Sequence, residues 1–321
     1  MRARISQVLL LVLMTGVIIG SLSDKAFAQP KKIGILLWSG EDRYVESTWA
    51  MLEQLKADGF GDLEVRQESA EANKAIAMRL AKGFAAQKMD VYVGVGTNGV
   101  AALQKEISNI PIVFNVVYDP MGAGFVDTWK HSKNNITGVS NLLPMTDILQ
   151  RLKTFVPLKN LAVLYTPDQK NSEAQLQDLQ DVAQDCSIKI IPVPLSSADD
   201  AALVIPLLKG KAEAIYLTGS GFVGSSVGAI VKGAVKEKMV PISHLSDYVD
   251  QGVLLAAGAD MRELGRMAAG KVEEVLKGVF PTDIPVEGPK RALYYLNLKT
   301  AKAMGIIVPD DLKKEAVKVI E

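Results

Sequence analysis

Histidine and cysteine are almost missing from this chain of 321 residues, which has two histidines, His131 and His244, and one cysteine, Cys186. A single cysteine excludes an internal disulfide, so the fold must be held by packing. Two histidines far apart in sequence are too few for a histidine-based zinc site, and both read as surface or turn residues. No H-E-x-x-H, G-x-S-x-G or P-loop pattern occurs. Ser220, inside Gly219-Ser220-Gly221, lacks the glycine spacing of a hydrolase elbow and has no evident base. Nothing in the chain calls for catalysis, a metal or a cofactor. Excess charge is missing too: 36 basic side chains face 36 acidic ones. That balance gives no electrostatic case for nucleic acid or an anionic membrane surface.

Long hydrophobic runs are also lacking. The apolar stretch at 8–20 spans about thirteen residues, short of the roughly twenty that cross a bilayer. Arg2 and Arg4 precede it and Ala26-Phe27-Ala28 close it, so residues 1–28 read as a secretory signal peptide cut after Ala28. With no cysteine near the cut, no lipid anchor is expected. The mature chain is expected free in an extracytoplasmic space, most simply a periplasm, and is long enough for two lobes.

What is present is alternation. Strand-like runs at 32–38, 63–67, 91–95 and 111–117 are separated by segments of helical period, such as Ala72, Ile76, Leu80 and Phe84. A second series has strands at 161–165, 189–193, 214–217 and 241–245, with a helix expected at 203–208 and another at 224–238. Strict alternation implies parallel sheets covered on both faces.

One motif recurs. Residues 91–95 run into Gly94, Gly96 and Gly99, a G-x-G-x-x-G spacing, and Asp119 follows where a dinucleotide site places its ribose ligand. The same pattern returns after residues 214–217 at Gly219, Gly221 and Gly224. Each copy leads to a Pro-Ile strand, at Pro111 and Pro241, and then to an aspartate, Asp119 and Asp247. A dinucleotide fingerprint belongs in the first strand-to-helix turn, whereas both copies follow a third strand. The glycines are better read as turns at the carboxyl ends of strands, where open α/β sheets bind ligands at helix N-termini.

Strand-end residues are therefore the candidate site. In the first lobe they are Trp38, Ser39, Gly40, Glu41, Thr97, Asn98, Tyr118 and Asp119. In the second they are Tyr165, Thr166, Asp168, Ser172, Thr218, Gly219, Ser220 and Phe222. Aromatic faces and carboxylates at such positions suit a small ligand with an ammonium and an apolar part.

Several segments resemble one family, the ABC-transporter substrate-binding proteins whose best-known members bind tryptophan, tyrosine or phenylalanine. They are Lys32-Ile33-Gly34-Ile35-Leu36, Pro111-Ile112-Val113-Phe114, Asp119-Pro120-Met121-Gly122-Ala123-Gly124-Phe125-Val126 and Asn135-Ile136-Thr137-Gly138-Val139-Ser140. Near the end come Glu263-Leu264-Gly265, Ile284-Pro285-Val286-Glu287 and Asn297-Leu298-Lys299-Thr300-Ala301.

The resemblance implies a type I periplasmic-binding-protein fold, two Rossmann-like lobes with parallel sheets joined by a three-crossover hinge. It puts the crossovers near Ser140 and Asn141, near Ser246 and Asp247, and near Gly258 and Ala259. Lobe 1 would take 29–140 with 258–284, and lobe 2 would take 141–257 with 285–321. The helix bearing Leu264, Met267, Ala268 and Val272 would pack back on lobe 1. Family positions around the ligand match Thr97, Asp119, Thr218 and Ser220, and Asn141, Ser246 and Asp247 join the candidate set.

By the same resemblance the protein is expected to be a monomeric periplasmic receptor for a small solute, an amino acid or a relative of one, of the aromatic or branched kind. It closes on the solute and hands it to a membrane permease driven by a cytoplasmic ATPase. A sensor presenting solute to a chemoreceptor or histidine kinase is the alternative. Thr218-Gly219-Ser220-Gly221 stands where relatives often read Thr-Asp-Asn-Thr, and His244-Leu245-Ser246-Asp247 where they often carry a Ser-Asp-Asp run. That leaves Glu41, Asp119 and Asp247 to supply negative charge.

Overall fold

Lys32–Leu37 (β1), Glu64–Ser69 (β2), Val91–Val95 (β3), Ile112–Val117 (β4) and Ile136–Ser140 (β5) pair in the order β2-β1-β3-β4-β5, every pair parallel. The computed structural model describes residues 30–132 and 135–321; the leader read in residues 1–28 lies outside them. The central strands are apolar and buried along their length, as strands covered on both faces must be. Helices Asp42–Ala57 (α1), Lys74–Ala85 (α2) and Thr97–Glu106 (α3) connect the first four strands. Right-handed crossovers put α1 on one face and α2 with α3 on the other, because β2 and β3 lie on opposite sides of β1.

The second sheet repeats the first. Asn160–Tyr165 (β6), Lys189–Pro194 (β7), Ala214–Leu217 (β8), Val240–Ser243 (β9) and Leu255–Gly258 (β10) run β7-β6-β8-β9-β10, the order of β2-β1-β3-β4-β5. The two glycine motifs follow the equivalent strands β3 and β8, as the sequence repeat requires. Met145–Lys153 (α4) leads into β6 and Lys170–Ala183 (α5) joins β6 to β7. Asp200–Val204 (α6) continues as a 3-10 turn over Ile205–Leu208, where one helix was expected. The helix expected at 224–238 is divided into Gly221–Gly224 (α7) and Val227–Lys236 (α8). Asp247–Asp250 (α9) precedes β10.

The chain enters the second lobe after β5 and leaves it after β10. Met261–Leu276 (α10) then packs along α1 and against β4 and β5, as the family resemblance implies. Asp260 caps it, accepting from the backbone N–H of Arg262 (2.9 Å) and Glu263 (3.2 Å). The last crossing comes later than residue 284. Ile284 and Val286 are buried in the first core, Val286 N–H donates to the Trp129 carbonyl, and Lys271 Nζ holds Glu287 at 2.5 Å. The chain returns only at Leu293–Asn297 (β11), which pairs antiparallel with β10, an exception to the expected parallel sheets. Leu298–Met304 (α11), Asp310–Glu315 (α12) and Lys318–Ile320 (β12) complete the second lobe. The crossover expected near Ser246 and Asp247 is not one: β9, α9 and β10 succeed one another within the second lobe. Both lobes belong to one compact unit, Lys31–Glu321.

Candidate functional site between the lobes

The first-lobe wall is built at the carboxyl ends of β1, β3 and β4. After β1, Ser39 Oγ donates to Glu41 Oε2 at 2.6 Å, and α1 begins at the next residue. Its first turn carries Arg43, only 2% exposed, whose guanidinium contacts Glu41 Oε2 and Asp247 Oδ2, both at 2.8 Å. Glu41 belongs to the same lobe as Arg43 and Asp247 to the other, so one cation ties the lobes together. Tyr44 lies on the backbone where α3 starts. Gly96 has φ 82° there, and a Cβ would stand 3.0 Å from the Tyr44 ring, so both the conformation and the space require glycine.

At the end of β4 the register slips and Val116 adopts φ 53°, a strained conformation for a β-branched residue. Strain of this kind is worth about 1–3 kcal/mol and persists only where the surroundings impose it. Beyond this irregularity Tyr118, by chain a first-lobe residue, sits in the core of the second lobe. Its hydroxyl donates to Asp178 Oδ2 on α5 at 2.6 Å. Burial raises the pKa of Tyr118, and it raises that of Asp178 as well.

The second-lobe wall is a braced loop. Residues 218–221 follow β8, and the first turns of α5 hold them in place. Gly219 N–H donates to Gln175 Oε1 (2.8 Å), Asn171 Nδ2 donates to the Gly219 carbonyl (2.7 Å), and Gly221 N–H donates to Gln169 Oε1 (3.0 Å). The hydroxyls satisfy one another: Thr166 Oγ1 donates to Ser220 Oγ, and Ser172 Oγ pairs with Thr218 Oγ1, each at 2.8 Å. Ser220 also caps α7 through the Val223 N–H. His244, just past β9, is fixed between two tyrosines, with the Tyr216 ring parallel and hydrogen-bonded to it end to end (centroids 6.0 Å, 7°) and Tyr118 edge-on (5.3 Å, 66°). Burial, helped by the Arg43 cation, pushes its pKa down to about 3, so the imidazole is neutral at physiological pH.

Between these walls lies a cavity of about 20 Å³, room for roughly one water. Arg43, Tyr44, Thr97, Val116 and Tyr118 line it from one side. Asn171, Gln175, Gly219, His244 and Leu245 line it from the other, and Asn141 lies at the crossover. Three lining residues carry a buried atom with no hydrogen-bond partner among the described residues: Asn141 Oδ1, Asn171 Oδ1 and His244 Nε2. Orphans of this kind are rare in folded proteins, and three around one cavity point to a polar ligand.

The sequence candidates separate into groups. Thr97, Tyr118, Asn141 and Gly219 line the cavity. Asn98 is the next residue along α3, and Gly40 and Glu41 lead into α1. Trp38 is buried in the first-lobe core. Asp119 is drawn into its own turn, accepting from Gly122 N–H at 2.9 Å, and does not line the cavity. Thr166, Ser172, Thr218 and Ser220 form the hydroxyl pairs behind the wall, with Tyr165 at the end of β6. Ser246 and Asp247 line a larger groove of about 620 Å³, shared with Asp42, Trp49, Asp260 and Tyr295. Arg43 borders both spaces.

Sequence reasoning passed over Arg43, Asn171, Gln175 and His244, the last read as a surface or turn residue but buried here at 5% exposure. Arg43 stands two residues beyond Glu41, the last candidate after the first strand, and His244 immediately follows β9. Asn171 and Gln175 are spaced i, i+4 on α5, a polar pair on one helix face.

The chain matches the family model described as ABC transporter substrate binding protein over residues 32–320. Among curated proteins it is 26% identical over 278 residues to the tyrosine-binding protein of Clostridioides difficile, covering 85% of this chain and 81% of that one. Among solved structures it is similar to an ABC domain from Streptococcus pneumonia in complex with L-Trp, with a TM-score of 0.87, 23% identity and coverage of 91% and 100%. It is also similar to a ligand-free, open substrate binding protein with adhesive properties from Clostridium difficile, with a TM-score of 0.71, 25% identity and coverage of 90% and 99%.

Proposed function

The chain belongs to the ABC transporter substrate-binding protein family, with the type I periplasmic-binding-protein fold, and from that premise we propose that its interlobe cavity captures an aromatic amino acid or a close relative of one. It is a substrate-binding protein and not an enzyme, and the family works outside the cytoplasm. The observation that carries the ligand reading is the set of unpartnered polar atoms, Asn141 Oδ1, Asn171 Oδ1 and His244 Nε2, drawn from the second lobe and the crossover and facing the first-lobe wall. Tyr44 and Tyr118 add aromatic walls beside them. The relatives named for tyrosine and solved with L-Trp support the same class of solute.

A space of about 20 Å³ admits no amino acid, so the solute enters only when the lobes part. Contacts from both lobes then stabilise the closed arrangement over the open one, and the closed form is delivered to a membrane permease coupled to a cytoplasmic ATPase. The lower score against the open relative fits lobes that are drawn together here. Export through a cleaved leader to the periplasm, and action as a monomer, complete the proposal.

The test is a melting screen of the purified protein against the twenty amino acids, short peptides and aromatic acids. A solute at 100 times its dissociation constant stabilises by about 2.7 kcal/mol, a readily measured shift. Aromatic amino acids are expected at the head of the ranking. A panel in which no solute moves the transition would sink the reading.

A further inference from the structure

On the reading of the interlobe cavity as the solute site, the geometry also assigns the polar ends of the solute. We propose that His244 is the specificity residue for a solute carboxylate, donating from Nε2, while Asn141 and Asn171 accept from the solute ammonium.

The argument starts at Tyr216, which is fully buried and has one hydroxyl proton with two neighbours. His244 Nδ1 lies 2.6 Å from its oxygen and Met145 Sδ lies 3.4 Å away. A thioether is a weak acceptor and an imidazole nitrogen a good one, so the proton goes to Nδ1. In a neutral ring the other nitrogen then carries hydrogen, which makes Nε2 a donor. That Nε2 is buried and has no acceptor among the described residues. A buried donor left unpaired has lost its bond to water, and a solute oxygen that accepts from it restores that bond. The hydrogen bond from Tyr216, whose ring lies parallel, and the edge-on Tyr118 fix the ring, so the donor is in place before the solute arrives.

The acceptors are set by the same reasoning. Asn171 Nδ2 donates to the Gly219 carbonyl, so flipping the amide would set oxygen against oxygen; Oδ1 must be the free end. Asn141, whose amide no such bond orients, presents Oδ1 without a partner among the described residues and is assigned as the second acceptor. The acidic groups nearby are already engaged: Glu41 and Asp247 with Arg43, and Asp178 with Tyr118. Arg43, the cation at the cavity, is correspondingly balanced by two carboxylates. One neutral donor and two neutral acceptors therefore complement an α-amino acid, with its ammonium held by amide oxygens and its carboxylate by an imidazole N–H.

The experiment is a calorimetric cycle on the purified protein with L-tyrosine and tyramine, and with L-tryptophan and tryptamine. Each pair differs by the carboxylate alone. The parent should prefer amino acid over amine by tenfold or more, and His244→Leu should shrink that preference by about tenfold, the scale of one hydrogen bond to a charged group. His244→Gln, which keeps an N–H near the Nε2 position, should retain more of the preference. Tyr216→Phe, which frees the tautomer and leaves the imidazole, should lower the preference without abolishing binding. A parent that binds amine and amino acid alike, or a His244→Leu protein that weakens both equally, overturns the assignment and leaves the proposed function standing. A parent that binds none of the four overturns both.

Discussion

His244 shows how much one residue can carry here. It is 5% exposed, holds Tyr216, borders the cavity and is kept neutral by burial and by Arg43. Between pH 6.5, the ordinary value, and about 3, an unfolded chain protonates this histidine and the native one does not. The unfolded state then binds more protons, so stability falls as pH falls through that window, by at most about 1.4 kcal/mol per unit. Asp178 and Asp247, which burial raises, contribute with the opposite sign, but they are present in parent and variant alike. Melting temperatures of the parent and His244→Gln, followed from pH 7 to pH 4, should therefore converge or cross as pH drops. Parallel curves would mean that the histidine is not held neutral.

Local preference and tertiary packing disagree most clearly at the level of the element, in α10. Gly265 lies mid-helix, where alanine is favoured by about 1 kcal/mol on propensity alone. Yet a Cβ at Gly265 would run into the Ser47 carbonyl and the Ala50 side chain of α1, because the two helices meet there backbone to backbone. Gly265→Ala should consequently destabilise, by about 1–3 kcal/mol, the usual range for overfilling a packed contact. A urea midpoint that rises in this variant would refute the close approach. The same contrast explains which elements could be read from sequence. Strands rich in Val, Ile and Leu with helical segments between them were legible. β10, made of Leu255, Ala256, Ala257 and Gly258, has no β-branched residue to mark it, and β11 owes its antiparallel direction to the return of the chain from the other lobe.

For the whole molecule, the question is what keeps the lobes together. Arg43 reaches Asp247 across the cleft, Lys74 Nζ donates to the Asp168 carbonyl at 3.0 Å, and Tyr118 is anchored in the opposite core. Removing Arg43 leaves Asp247 buried without its cation. Breaking such a pair typically destabilises by about 3–5 kcal/mol, and the partial exposure of Glu41 places this triad at the lower end. Opening the cleft rehydrates both carboxylates, so Arg43→Met should shift the population toward open forms. Small-angle scattering without added solute should then give a larger radius of gyration for Arg43→Met than for the parent. Equal radii would show that the salt bridge does not govern closure.

The sequence by itself determined the two-lobed plan. Apolar periodicity, the glycine turns and their repetition are local signals, and each fixed a strand, a helix or a turn where it occurs. It also placed Thr97, Tyr118 and Gly219 at strand ends, and the family resemblance placed Asn141 at a crossover; all four border the cavity. Only the tertiary structure decided which polar groups remain available to a solute. Thr166 and Ser220 are 54 positions apart and Ser172 and Thr218 are 46 apart, yet they consume one another's hydrogen bonds. Asn141, Asn171 and His244 keep an atom to spare because no group among the described residues reaches it. Hydrogen-bond satisfaction depends on proximity in space, and a residue's type and spacing do not reveal whether its partner is already taken.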